Sequence, residues 1–342
     1  MSVHPYLRRT DRRTMKKILA VGLAGLMAVG FAACSSNDSG KTDDKKTDAT
    51  ATAKTGYAIS SEIKDDEYNK SDTNLEIDSV CAAVLVDADG KIIDVKIDEA
   101  QTKPDLKKDN GDVADLRTKR DKKEDYAMKA ASGIGKEWYE QIAAFEEWAK
   151  GKTAEEVKAG IGEDGYPSDA DLKAGCTMYA NGFAQVTAQA MENAKDLGAS
   201  ATDSLKLAMT TEKYYESNET NLQYDTNYAI VTVDADGKVT SCIIDASQAK
   251  CSIADGKFTV EKGAYKSKKE LGDDYNMRGA SPIGKEWYEQ AEAFEKWCVG
   301  KTADEIKASY GDDMVATDAD LKAGCTMTIN GIAENVAKAI NS

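Results

Sequence analysis

The eight residues DLKAGCTM stand at positions 171–178 and again at 320–327, 149 positions apart in a chain of 342. A word of that length does not recur by chance, and its surroundings recur with it. DYAMKAASGIGKEWYEQIAAFEEWAKGKTAEEVKAG at 125–160 matches DYNMRGASPIGKEWYEQAEAFEKWCVGKTADEIKAS at 274–309 with the same offset of 149. VCAAVLVDADGKIIDVKIDEAQ at 80–101 matches YAIVTVDADGKVTSCIIDASQ at 228–248 with an offset of 147. At roughly 140 residues each copy is far longer than the 20–50 residues of a solenoid unit. The chain therefore has to build one domain twice, with a core in each copy. The copies are expected at 56–198 and 199–342, divided near the AKDLGASATDS stretch.

Within each copy the apolar pattern gives the elements in order. Two apolar runs flank DADG, and an Asp-rich turn ending in glycine joins antiparallel strands because glycine accepts the positive φ that the turn requires. The rival reading is a calcium loop that starts at Asp87 and Asp89, but the later acidic ligand and the bidentate glutamate are missing. Trp138, Ile142, Phe145 and Trp148 recur at helical steps and share one face, as do Trp287, Phe294 and Trp297. Core packing accounts for these aromatics. After GKT, Thr153 with Glu156 and Thr302 with Glu305 have the spacing of a capping box. Val186, Ala190 and Ala194, like Ile332, Val336 and Ile340, mark a closing helix just after Thr177 or Thr326. The expected fold class is α+β, with two tandem homologous domains, each a β-hairpin or small antiparallel sheet packed with helices.

The start of the chain belongs to neither copy. MKKILAVGLAGLMAVGFAAC, from Met15 to Cys34, has two lysines, a run of small and apolar residues and then a cysteine. That is the layout of a secretory signal peptide. Residues 18–33 are too short a run to span a membrane, which takes about 20 residues. Met15 is the expected true start, and residues 1–33 the signal. The ending FAAC resembles the lipobox of bacterial lipoproteins, with Phe31 where leucine is usual. The resemblance implies a diacylglyceryl group on Cys34, cleavage before it, and a protein held at the extracytoplasmic face of the cell membrane. Residues 34–55 are polar, with nothing apolar larger than alanine, so they read as a flexible tether spanning about 26 Å on average.

Removing residues 1–33 takes away six basic side chains and one acidic one, which moves the net charge from −15 to −20. Such a surface repels phosphate backbones and anionic lipid heads, so nucleic acid is an unfit partner and acyl chains must supply the membrane attachment. The chain's single histidine, His4, leaves with the signal. That excludes a Ser-His-Asp or Cys-His relay, histidine-ligated zinc and haem attachment. Chemistry here has to use carboxylates, thiols, hydroxyls or a borrowed cofactor. Besides Cys34 there are six cysteines, none in C-x-x-C, and only Cys176 and Cys325 occupy matching places. A disulfide framework would repeat with the domain, and this one does not; Cys242 with Cys251 is the one pairing left open.

DLKAGCTM resembles the target motif of FAD:protein FMN transferases, D-x-x-[S/T]-G-A-T, in which FMN is attached through its phosphate to the threonine. Related motifs occur in the FMN-bearing subunits of sodium-pumping quinone reductases and of membrane-bound ferredoxin:NAD reductases. Asp171 and Asp320 match the aspartate, Gly175 and Gly324 the glycine, and Thr177 and Thr326 the acceptor. Two positions depart: Ala174 and Ala323 replace Ser/Thr, and Cys176 and Cys325 replace alanine, in both cases with a small residue. The wider pattern is similar to the flavinylated lipoproteins of Gram-positive extracellular electron transfer: lipobox, polar tether, and two repeats with GKEWYEQ and GKTxxE ahead of a threonine motif. The resemblance implies two covalent FMN groups per chain, on Thr177 and Thr326. It implies electrons supplied by a membrane quinone or NADH dehydrogenase system, and passed to free flavins, ferric iron or extracellular reductases. In that setting glycine would let the backbone approach the phosphate, and the following helix would offer it free amides and a positive dipole end.

A second reading keeps the lipoprotein and drops the redox chemistry: a surface module whose two domains capture a solute or a wall polymer in a cleft between them. A stand-alone reductase is the weaker third. Beyond the signal the only arginines are Arg117, Arg120 and Arg278, and no glycine-rich nucleotide motif is visible, so a carrier rather than an enzyme is expected.

Overall fold

The computed structural model describes residues 51–64 and 71–342. Cys34, the signal at 1–33 and the tether as far as residue 50 lie outside the described residues. The fold is α+β. The first copy opens with three strands, β1 (Lys54–Ile63), β2 (Ile77–Val86) and β3 (Ile92–Thr102), and two short helical turns, α1 (Leu106–Asp109) and α2 (Lys119–Lys122). Four helices follow: α3 (Trp138–Ala149), α4 (Ala154–Ala159), α5 (Ala170–Gly175) and α6 (Asn181–Glu192). The second copy runs β4 (Ser204–Lys213), β5 (Asn221–Val233), β6 (Val239–Ala254), the short β7 (Lys257–Phe258) and β8 (Gly263–Tyr265), then α7 (Lys268–Leu271), α8 (Trp287–Cys298), α9 (Ala303–Lys307), α10 (Ala319–Gly324) and α11 (Asn330–Ile340).

DADG makes the expected hairpin in both copies. Asp87 Oδ1 accepts the N–H groups of Asp89 (2.9 Å) and Lys91 (2.8 Å), and Gly90 sits at φ +76°. Asp234 and Gly237 (φ +75°) repeat the arrangement between β5 and β6. The carboxylate is thus the turn's own backbone acceptor. The sequence reading named this hairpin and missed the strand before it: β1 pairs antiparallel with β2 along its whole length, as β4 does with β5. The sheets run β3-β2-β1-β8 and β4-β5-β6-β7.

Alternation along the strands sets the layers. In β2, Ala82, Val84 and Val86 meet Trp138, Ile142 and Phe145 of α3 and the inner face of α6, while Cys81, Ala83 and Leu85 point the other way. In β5, Ala229, Val231 and Val233 meet Trp287, Phe294 and Val336, while Tyr228 and Ile230 point away. The two outward sets form one shared cluster with Leu205, Leu207 and Met209 of β4. The result is helices, sheet, sheet, helices, in one compact unit that holds both copies. Polar bonds also cross between the copies: Thr55 Oγ1 lies 2.9 Å from Ser241 Oγ, and the Tyr57 hydroxyl donates to Asp245 Oδ2 at 3.0 Å. Residues 263–265 of the second copy extend the first copy's sheet at β1.

Each sheet is tied to its long helix by a buried glutamate. Glu146 accepts the Ile97 N–H at 2.7 Å and pairs with Arg120; Glu295 accepts the Ile244 N–H at 2.7 Å and pairs with Lys269. Burial pushes both carboxyls above their ordinary range, opposed by the neighbouring cation. The expected capping boxes are present at Thr153 with Glu156 and at Thr302 with Glu305.

Candidate functional site

The repeated word is a short helix followed by a connecting stretch. ADLKAG forms α5 and α10, N-capped by Asp169 and Asp318. Asp169 Oδ1 accepts the N–H groups of Asp171 (3.0 Å) and Leu172 (3.1 Å), and also the Trp148 indole N–H (3.0 Å). Asp171 and Asp320, which carry the motif resemblance, lie exposed in the first turn, two residues past the caps. The glycines have a packing role. A Cβ on Gly175 would stand 2.6 Å from the Ala144 Cβ, and one on Gly324 the same 2.6 Å from the Ala293 Cβ. Gly175 and Gly324 therefore let α5 and α10 lie against α3 and α8.

Past the helix the chain turns extended, and the next two residues part. Cys176 and Cys325 point into the cores and are fully buried. Desolvation holds the Cys176 thiol above its usual range and pushes Cys325 up to about 11. Thr177 and Thr326 keep intermediate exposure. A buried glutamine grips each of them. Thr177 N–H donates to Gln141 Oε1 at 2.8 Å and its hydroxyl donates to the same oxygen at 3.3 Å. Thr326 makes the same two bonds to Gln290 Oε1, at 2.8 and 3.3 Å. The glutamine amide is fixed in turn: Gln141 Nε2 donates to Ser132 Oγ (3.0 Å) and the Lys136 carbonyl (3.2 Å), and Gln290 Nε2 to Ser281 Oγ (3.1 Å) and the Lys285 carbonyl (3.3 Å). Glutamine on a helix face otherwise filled by Trp, Ile and Phe escapes an apolar periodicity. Its signal was the word GKEWYEQ, identical in both copies, which ends on this residue.

Three features bear on whether a threonine phosphoester would fit. The backbone bond from Thr177 or Thr326 to the glutamine needs no hydroxyl proton, so the residue would stay anchored after modification. Lys136 and Lys285 are half-buried, share the glutamine network through their carbonyls, and form no ion pair among the described residues. In a strongly acidic protein, a lysine without an ion pair one glutamine away from each threonine suits a phosphate. Lys285 acts electrostatically on Cys325, the residue before Thr326. Finally, α3, α4 and α5 each have a side-chain cap or capping box, as do α8, α9 and α10, whereas α6 and α11, the helices after the threonines, have none. In α6 the Asn181 N–H already bonds the Gly165 carbonyl, and the later first-turn amides suit an anion. The donor set thus fits a phosphate at each threonine.

The other residues singled out from the sequence have structural partners. Arg117 pairs with Asp115 and Asp125, Arg120 with Glu146, and Arg278 with Asp273 and Glu289. Cys242 and Cys251 both lie on β6, nine positions apart, in different core clusters, and all six cysteines among the described residues are free. A cavity of about 790 Å³ lies between the copies, lined by Tyr57, Asn193 and Lys195 from the first and by Asp245, Lys269 and Glu295 from the second.

No protein-family model matches this chain. A chlorophenol reductase from Desulfitobacterium hafniense is 31% identical over 119 residues, which is 30% of this chain and 36% of that protein. The chain thus spans about a third of the length of the curated relative it matches. No solved structure matches it.

Proposed function

We propose that this protein is an extracytoplasmic electron carrier that holds FMN as a phosphoester on Thr177 and on Thr326. The observation that carries the reading is the threonine grip itself. The same two hydrogen bonds, at the same 2.8 and 3.3 Å, fix the acceptor in each copy. Each acceptor stands on the connection between a packed helix and an uncapped one, and its glutamine is held in turn by the carbonyl of Lys136 or Lys285. Residues 56–198 and 199–342 are then duplicated attachment domains, and Cys34 is the lipid anchor that keeps both at the membrane.

The threonine oxygen would displace AMP from FAD, with an FAD:protein FMN transferase as catalyst, forming the P–O bond and losing the hydroxyl proton. The flavin supplies the redox chemistry. The protein's own residues do the rest. Gln141 and Gln290 fix the attachment point, Lys136 and Lys285 offset phosphate charge, and the tether keeps the carrier at high local concentration beside its donor. Electrons would enter from a membrane quinone or NADH dehydrogenase system and leave to free flavin, ferric iron or an extracellular reductase. The buried state of Cys176 and Cys325 argues for oxygen rather than sulfur as the attachment atom. The name of the Desulfitobacterium relative, a reductase, is in line with a redox role.

The test is the visible spectrum of protein co-expressed with a transferase, then denatured and precipitated. Flavin should stay with the pellet, fall by half in Thr177→Ala or Thr326→Ala, and vanish in the double variant. The solute-binding reading has one observation in its favour, the cavity between the copies. It predicts a protein that stays colourless under the same conditions.

A further inference from the structure

Two tyrosines that the core does not use meet near Thr177, Tyr166 on the turn at 161–168 and Tyr179 on the stretch just after the threonine. Tyr166 is 48% exposed and Tyr179 is 56% exposed, and their rings meet edge to face with centroids 5.7 Å apart. Neither phenol hydroxyl has a hydrogen-bond partner among the described residues. The pair is nonetheless firmly placed. The Gly165 carbonyl accepts the N–H groups of Ala180 (2.9 Å) and Asn181 (3.1 Å), which pins the turn against the stretch that follows Thr177. Gly165 has φ +82°, and a Cβ there would stand 2.1 Å from the Tyr179 ring. Glycine is needed here twice over, for the backbone angle and for the ring that lies on it.

The second copy keeps the backbone and drops the rings. Met314 takes the place of Gly165 at φ +62°, and its carbonyl accepts the Ile329 N–H at 2.9 Å, as Gly165 accepts Ala180. Val315 and Thr328 stand where Tyr166 and Tyr179 stand, and pair as an isolated bridge. A turn that served packing alone would have no use for two exposed aromatic rings in one copy and none in the other.

We propose that Tyr166 and Tyr179 form a seat for the isoalloxazine ring of the flavin on Thr177, and that the flavin on Thr326 has no such seat. The inference rests on the attachment reading above. Tyr179 is two residues from Thr177, so their Cα atoms are at most about 7 Å apart, and a ribityl phosphate chain is longer than that gap. An edge-to-face pair offers an incoming flat ring one open face and one edge, the arrangement that aromatic quadrupoles favour. A tyrosine in contact with a flavin also quenches its fluorescence by electron transfer. The two flavins of one chain should therefore differ in brightness, solvent access and potential.

The experiment uses full-length Thr326→Ala protein, which carries flavin at Thr177 alone, and Thr177→Ala protein, which carries it at Thr326 alone. Both are co-expressed with a transferase and checked for flavin by intact mass. Fluorescence per flavin should be several-fold lower in Thr326→Ala than in Thr177→Ala, and iodide should quench it less. Adding Tyr166→Leu and Tyr179→Leu should bring the Thr177 flavin to the brightness and iodide sensitivity of the other. The reverse graft of Met314→Gly, Val315→Tyr and Thr328→Tyr into Thr177→Ala should dim the Thr326 flavin, and it tests the seat even where the leucine variants fold poorly. Loaded proteins of equal brightness, with no response to either set of changes, would overturn the seat and leave the attachment intact. Absence of flavin from Thr177 by mass would overturn the attachment and the seat with it.

Discussion

The loops at 161–168 and 310–317 share a backbone and differ in chemistry. In both, a residue at positive φ turns the chain and its carbonyl receives an amide from just past the acceptor threonine. In the first copy that residue is glycine and two tyrosine rings stand over it; in the second it is methionine, and valine and threonine stand there. The glutamine grip on the threonine is the same in the two copies, with the amide bond at 2.8 Å in each. The difference teaches where each copy is constrained. The threonine and its glutamine are held constant, while the exposed surface beside them, which the proposed cofactor would touch, has diverged. Methionine is tolerated at positive φ in the second copy because Thr328 leaves room for a Cβ that Tyr179 in the first copy would not.

The largest effect concerns how far the copies can be told apart at all. Each has its own helix-on-sheet core, yet Cys81, Ala83 and Leu85 of one pack with Leu205, Met209, Tyr228 and Ile230 of the other. Burying a large apolar side chain contributes roughly 1.5–3 kcal/mol, so dividing the chain at 198/199 should remove much of the stability of each half. Separate halves should bind a hydrophobic dye and recombine on mixing. Two halves that each unfold cooperatively at the temperature of the intact protein would show that the shared cluster contributes little.

Gln141→Leu and Gln290→Leu come next. Each would remove the acceptor of a half-buried threonine N–H, at a cost of about 1–3 kcal/mol, and the effect should be equal in the two copies. Urea unfolding checks this; a marked inequality would break the equivalence of the grips.

The smallest effect tests the divergence directly. Gly165→Ala should destabilise by about 1–2 kcal/mol through the left-handed backbone, with the Tyr179 ring adding to it, and Tyr179→Thr in the same chain should recover the ring's share. Met314→Gly should gain about 1 kcal/mol by relieving the same backbone cost. Additive single and double variants in a thermal-unfolding cycle would mean that residue 165 and ring 179 do not interact.

Parts of this were legible from residues alone, for identifiable reasons. DADG between apolar runs, the T-x-x-E boxes and the aromatic face at 138–148 are local patterns with one physical solution each. The strands β1 and β4 were missed for different reasons: β1, KTGYAISSEI, has few large apolar residues, whereas β4, SLKLAMTTEK, alternates Leu205, Leu207 and Met209 with polar residues, a period-2 signal that the sequence reading passed over. The pairing of sheet against sheet was present in VCAAVLV, which is apolar on both faces, but the second buried face could not be assigned to its partner without the fold. The threonine, the glycine and the cysteine stood out because the word recurred. Gln141 and Lys136 stood in a recurring word too, GKEWYEQ, but it was read only as part of the wider pattern: Gln141 has no apolar periodicity to mark it, and Lys136 precedes the helix. The role of Gly175 depended on Ala144, 31 positions earlier, and only packing brings the two together.

The central claim is that both threonines are attachment points, and peptide mapping tests it most directly. Protein co-expressed with an FAD:protein FMN transferase, alkylated and digested, should yield both DLKAGCTM peptides with one FMN phosphoester each, on Thr177 and Thr326, and with Cys176 and Cys325 carrying the alkylating label. Unmodified threonines in both peptides, or a flavin on either cysteine, would contradict the account.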